Sequence, residues 1–184
     1  VFSAIQARNA ANFVCNSQAD ENEPWINEIH YDNTGGDTNE GVEIAARAGT
    51  DLTGWKVYLY NGAGGRNHYD FINLAGIIPD QQNGFGTLWF ARPGIQNGDP
   101  DGLALVEPDG ITVVQFLSYG GSFVAGNGPA SGTVSVDIGV KENSSTPLDY
   151  SLQLQGTGDE YSDFLWADSI TNTRGNVNTS QIFN

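Results

Sequence analysis

From Trp25 onward the chain alternates apolar and polar residues with a period of two. Val42, Ile44 and Ala46 alternate with Glu43, Ala45 and Arg47, and Trp55, Val57 and Leu59 alternate with Lys56, Tyr58 and Tyr60. Each run predicts a half-buried β-strand. A first strand is expected over Trp25–Tyr31, followed by a long Gly/Asp/Asn turn over Asp32–Gly41. Tyr69–Leu74 and Thr87–Ala91 predict further strands, and Asn61–Gly65 a turn between elements. Leu103–Glu107 and Ile111–Tyr119 flank Pro108-Asp109-Gly110, a hairpin turn in which Pro presets φ and Gly takes φ > 0. Thr133–Ile138, Tyr150–Leu154, Asp163–Trp166 and Gln181–Phe183 complete the set. No segment after Pro24 carries a 3.6-residue period. About nine short strands at hairpin spacing, each burying one face, predict an all-β sandwich of two sheets sharing a core. Ile26, Ile29, Val42, Ile44, Trp55, Val57, Leu59, Leu105, Val113 and Phe116 are expected in that core.

Residues 1–24 follow another pattern. Val1–Val14 is rich in Ala and free of Gly and Pro, which predicts a short helix. Asn16–Pro24 is polar and acidic and reads as a linker. The chain therefore divides into an N-terminal arm and linker, 1–24, and one domain, 25–184. The arm is either a loose terminus or, through Phe2, Ile5 and Phe13, a contact for its own domain, a neighbouring domain or another subunit.

Composition narrows the function. Lys+Arg number 7 against 22 Asp+Glu, a net charge of −15, which disfavours a grip on nucleic-acid phosphates or on an anionic membrane. No apolar run is long enough for a transmembrane helix. No signal peptide is visible and no Met is present, so the sequence reads as a mature form or an excised fragment. Cys15 is the single cysteine, either a small buried hydrophobe or one half of a bridge to another chain or to another part of the protein. The acidity suits a secreted or cell-surface protein.

Three motifs then line up: Ile26-Asn27-Glu28-Ile29, Asn39-Glu40-Gly41-Val42-Glu43-Ile44 and Asp51-Leu52-Thr53-Gly54-Trp55. Their order and spacing resemble the lamin tail domain family. Asp101-Gly102-Leu103-Ala104-Leu105 and Asn176-Val177-Asn178 fit the same pattern, so the resemblance covers nearly all of Trp25–Asn184. The run from Asn27 to Ala45, with the segments after Asn83 and Val113, is similar to the module of bacterial exported proteins that often accompanies a nuclease or phosphatase domain. The resemblance implies an immunoglobulin-like sandwich and a non-catalytic module for binding, targeting or assembly. Gly41 departs from it, standing where the family places an aromatic. Physically, Gly54 supplies a φ > 0 position before Trp55, and Asp51 accepts N–H groups of its own turn. Glu28, Glu40 and Glu43 either face solvent or cap neighbouring turns.

Candidate chemistry is sparse. His30 and His68 are expected at the surface or half-buried, and no G-x-S-x-G occurs. With 22 acids, a carboxylate pair for glycoside chemistry has no specific signature. Asn97, Asp99 and Asp101 followed by Gly102 match the front half of a calcium loop. The bidentate acid should fall at 108, where Pro stands, with Glu107 one short. Asp32, Asn33, Asp37 and Asn39 form a second oxygen-rich loop, so Ca²⁺ is the one cofactor the sequence suggests. Leu88-Trp89-Phe90 and Phe164-Leu165-Trp166 place large apolar residues on both parities, which predicts exposed apolar surface there.

Three functions compete at this point. The first is a non-catalytic interaction or targeting module of an exported protein, bound to a protein partner. The second is a self-assembling structural subunit joined through its arm. The third is a calcium-dependent hydrolase working through carboxylates.

Overall fold

The computed structural model describes residues 23–184. The helix expected over Val1–Val14, Cys15 and most of the linker lie outside the described residues. Eleven strands follow: β1 (Trp25–His30), β2 (Gly41–Arg47), β3 (Lys56–Asn61), β4 (His68–Asn73), β5 (Phe85–Ala91), β6 (Asp101–Val106), β7 (Val113–Tyr119), β8 (Val136–Asp137), β9 (Tyr150–Gly158), β10 (Phe164–Thr171) and β11 (Gln181–Phe183). They form two sheets. The first runs β10-β9-β1-β2-β5, with β11 parallel to β9, and the second runs β4-β3-β6-β7-β8. Ile26, Ile29, Val42, Ile44, Val57, Leu59, Leu103, Leu105, Leu117 and Leu152 fill the space between them. The all-β sandwich expected from the alternation is the fold of the domain.

The alternation is less complete than it looked. β2 is buried at every position from Gly41 to Ala46, so Glu43 and Ala45 do not face water. The chain after β10 folds back across that face. There Thr173 and Gly175 donate backbone N–H groups to Glu28 and Glu43, and Asn178 Nδ2 donates to the carbonyls of Asn27 and Leu154. Gln181 and Asn27 pair amide to amide, at 2.7 and 3.1 Å. Glu28 and Glu43, opposite each other in register, thus lie in a dry polar layer, and Glu40 accepts from Gly94 N–H. All three glutamates are buried: the turn-capping alternative holds and the solvent-facing one does not.

The second sheet is covered outside as well. The connection after β7 packs Phe123, Ala125 and Ala130 over Tyr60, Ala104 and Phe116. A third cluster gathers Trp25, Ala45, Phe85, Leu154, Phe164 and Phe183. Phe116 and Trp25 therefore belong to these outer clusters, while Trp55 and Val113 are only partly buried. Thr133–Ile138 is not one strand. Its first half pairs with Phe123–Ala125, through Ala125 N–H to Thr133 O and Ser135 N–H to Phe123 O, and only Val136–Asp137 joins β7.

Local expectations at the Asp51–Trp55 turn hold. Gly54 has φ of +89°, and Asp51 accepts the Thr53 N–H at 2.9 Å. At Gly41 the missing aromatic leaves no gap, because a Cβ there would lie 2.5 Å from the Trp89 indole. The neighbouring strand supplies the ring that this position lacks.

Candidate functional site

β1 ends in His30, and the long turn after it meets the segment following β8. His30 is fully buried, which corrects the expectation of a surface or half-buried ring. Its Nδ1 lies 2.9 Å from Glu142 Oε1, and its Nε2 lies 3.0 Å from the Thr38 carbonyl and 3.2 Å from Asn33 Oδ1. The Asn33 amide is oriented by its own bonds: Nδ2 donates to Thr34 O and Gly36 O while Oδ1 accepts Thr38 N–H. Both ring nitrogens therefore face acceptors, an arrangement that an imidazolium satisfies. Burial pushes the His30 pKa down, but the hydrogen bond and the charge of Glu142 outweigh it, and the net direction is up. Glu142 Oε2 also accepts the N–H groups of Tyr31 and Asp32, at 2.6 and 3.1 Å. Tyr31 stacks on Tyr119 with centroids 3.9 Å apart, and its hydroxyl accepts the Glu142 N–H. Burial, above all, raises both tyrosines beyond their ordinary range.

The two oxygen-rich loops meet at this same pole, where Asn97 Nδ2 lies 3.4 Å from Asp37 Oδ2. Their carboxylates are largely committed. Asp101, nearly inaccessible, accepts Gly62 N–H at 3.0 Å and Gly98 N–H at 2.7 Å. Its pKa is raised, burial outweighing those bonds. Asp99 pairs with Lys141 at the surface. Asp32 and Asp37 touch each other; burial, then the charge and hydrogen bond of Asp37, raise Asp32. Asn97 and Asp37 are exposed. Among the described residues no group of three or more His, Cys, Asp and Glu is arranged to hold a metal ion. Chemically the pole is a latch: it ties the chain after β1, the Asn97–Asp101 loop and the segment around Glu142 together.

His68, at the start of β4 and half-buried, stands edge-on to Tyr58 and Tyr60. Among the expected apolar exposures, Leu165 is 78 % exposed, while Trp89 is half-buried beneath the Arg174 guanidinium, 5.0 Å from its ring.

A second feature lies at the open edge of the second sheet. Val134 and Val136 point outward, 53 % and 62 % exposed, and Val124 stands opposite Val134 across an antiparallel bridge. Ser135, between them, is buried; its hydroxyl accepts Phe123 N–H and bonds Ser118 Oγ at 2.8 Å. Val124 and Val134 also line a shallow cleft with Gly62, Arg66, Pro100, Ser122 and Phe123. Val134-Ser135-Val136 shows the period-2 signal in the sequence, but that signal does not say which face is left bare. Glu142 carries no such signal, lying in a polar stretch between short strands. No family model matches the chain, and no curated protein and no solved structure matches it.

Proposed function

We propose that this chain is a non-catalytic interaction module of an exported or cell-surface protein, of lamin-tail type and immunoglobulin-like topology. On this reading it binds a protein partner through the valine ribbon at the edge of the second sheet. The observation that carries the reading is the ribbon itself. Three valines stand exposed on two bridged segments, the second of which runs into β8, a two-residue terminal strand that contains Val136. An open edge offers unpaired backbone groups, and a neighbouring apolar strip supplies contact area to an incoming extended segment. Exposed apolar patches on a strongly acidic chain are where interfaces form. On this reading the His30–Glu142 latch is structural, its two side chains sealed from solvent and engaged with one another.

Selection of extended peptides from a displayed random library tests this. The wild type is expected to enrich apolar strand-forming peptides, and Val134→Glu/Val136→Glu to lose them while melting at the same temperature. Peptides that bind both proteins equally, or no enrichment on the wild type, would overturn the assignment.

A further inference from the structure

The chain contains four Asn-Gly dipeptides: Asn61-Gly62, Asn83-Gly84, Asn97-Gly98 and Asn127-Gly128. Such pairs are chemically labile, since the glycine amide nitrogen meets little steric hindrance in attacking the asparagine side chain. In three of them that nitrogen is occupied. Gly62 and Gly98 donate their N–H groups to the two oxygens of Asp101, at 3.0 and 2.7 Å, and Gly84 donates to Asp80 Oδ1 at 3.1 Å. A carboxylate there fixes the nitrogen away from the asparagine side chain. It also repels the negative charge that the nitrogen acquires as it becomes nucleophilic.

Asn127-Gly128 is arranged in the opposite way. Both residues are exposed, and among the described residues no acceptor holds the Gly128 N–H. The electrophile is activated, because Asn127 Oδ1 accepts the backbone N–H of His68 at 2.8 Å. That donor stabilises the oxyanion formed when the side-chain carbonyl is attacked. We infer that Asn127 is a site of spontaneous conversion to aspartate and isoaspartate, and that Asp101 and Asp80 protect the other three asparagines from the same reaction. The Gly128 nitrogen forms a bond to Cγ of Asn127, the Cγ–Nδ2 bond breaks, and ammonia leaves carrying the amide proton. Water then opens the cyclic imide at either carbonyl. No other co-reactant is needed.

The site is well placed to have consequences. The Asn127 carbonyl accepts the Tyr60 hydroxyl at 3.0 Å, and Tyr60 OH in turn accepts the Ala130 N–H. An isoaspartate adds a methylene to the backbone and a charge to the loop. Both act on the bonds that hold the connection after β7 against the second sheet.

The test is peptide mapping by mass spectrometry after incubation in mildly alkaline buffer, on the native protein and in concentrated urea. In urea the four sites are expected to convert at similar rates, since glycine follows each. In the native protein Asn61, Asn83 and Asn97 should be slowed by about 10- to 100-fold, the rate equivalent of a charge-assisted hydrogen bond. Asn127 should stay within about three-fold of its urea rate, well inside the scatter of a single hydrogen bond. Native slowing of Asn127 as large as that of the other three would overturn the inference. Asp80→Ala provides an independent arm. Asn83 alone should accelerate, by about 10-fold or more. An unchanged Asn83 would show that the carboxylate is not the protecting group.

Discussion

Glu43→Gln is the substitution whose effect can be worked most directly from the structure. Glu43 is completely inaccessible and faces Glu28 across the β1–β2 ladder. Burial first, and the Glu28 charge second, push its pKa up to about 8 from an ordinary 4.5. In the unfolded chain the proton leaves near 4.5, whereas in the folded protein it stays until about 8. The stabilisation from holding it is therefore complete below pH 4.5, falls between the two values, and is gone above the folded pKa. The fall is about 1.4 kcal/mol per pH unit, or on the order of 5 kcal/mol in all. Glutamine never ionises, so the variant lacks this slope. It also lacks an acceptor, because both Glu43 oxygens receive N–H groups, from Asn27 and Gly175, and an amide nitrogen cannot. That loss costs about 1–3 kcal/mol at every pH. The two stability curves should cross: the wild type is the more stable at pH 5 and the variant the more stable at pH 9. Urea unfolding followed by tryptophan fluorescence, repeated across that range, reads the crossing. The His30 contribution is common to both proteins and cancels in the difference. Parallel curves would refute the reasoning, since they would mean that Glu43 is ionised in the folded protein at neutral pH.

Glu142→Gln breaks a buried pair by removing one partner, and should cost about 3–5 kcal/mol in urea melts at pH 6. Because the His30 pKa is raised, its stabilisation is complete below the unfolded value and is lost as pH rises through the folded one. The gap between wild type and Glu142→Gln should accordingly narrow above neutrality. Trp25→Ala empties a cluster in which the indole meets Phe85, Phe164 and Phe183, all near 6 Å. Calorimetry should show a loss of about 3–5 kcal/mol, whereas Trp55→Ala, half-buried, should cost less. Millimolar calcium should shift the melting midpoint of the wild type and of Asp99→Asn by the same amount, because Asp99 is paired with Lys141 and Asp101 with the Gly62 and Gly98 N–H groups.

Much of the sandwich was legible because its inner faces obey a simple rule: Val42 and Ile44 on one strand, Val57 and Leu59 on another, all reach the shared core. The outer faces break the rule. Glu43 has the sequence pattern of a solvent-facing residue, and only the return of Thr173–Gln181 across the sheet makes it an interior one. Nothing local in that polar stretch announces a cover, since its contacts with Glu28 span 145 residues of chain. The same holds for His30, whose partner lies 112 residues away. The oxygen-rich loops were legible as loops. Asp101 accepts backbone N–H groups and Asp99 pairs with Lys141, partners that composition does not announce. β9 and β10 extend past the predicted Leu154 and Trp166 because they pair continuously, with one irregularity, from Gly156–Phe164 to Tyr150–Thr171.

The ring contact between Trp25 and Phe183 joins the two ends of the described chain. β1 carries the chain away from that point by six residues, about 20 Å, before the latch of His30 and Glu142 begins. Entry and exit thus share one pole, and the latch occupies the other. Attachments made at those two ends would leave the domain to one side of the line between them rather than in it. Tension applied at both ends would load the short β11–β9 pairing at one end and the Trp25–Ala45 and Ile26–Ile44 pairs of β1 with β2 at the other, with the Ile26 N–H passing part of the load to Gln115 of β7. The valine ribbon is paired with neither β1 nor β11, so it would keep its shape while those pairings held.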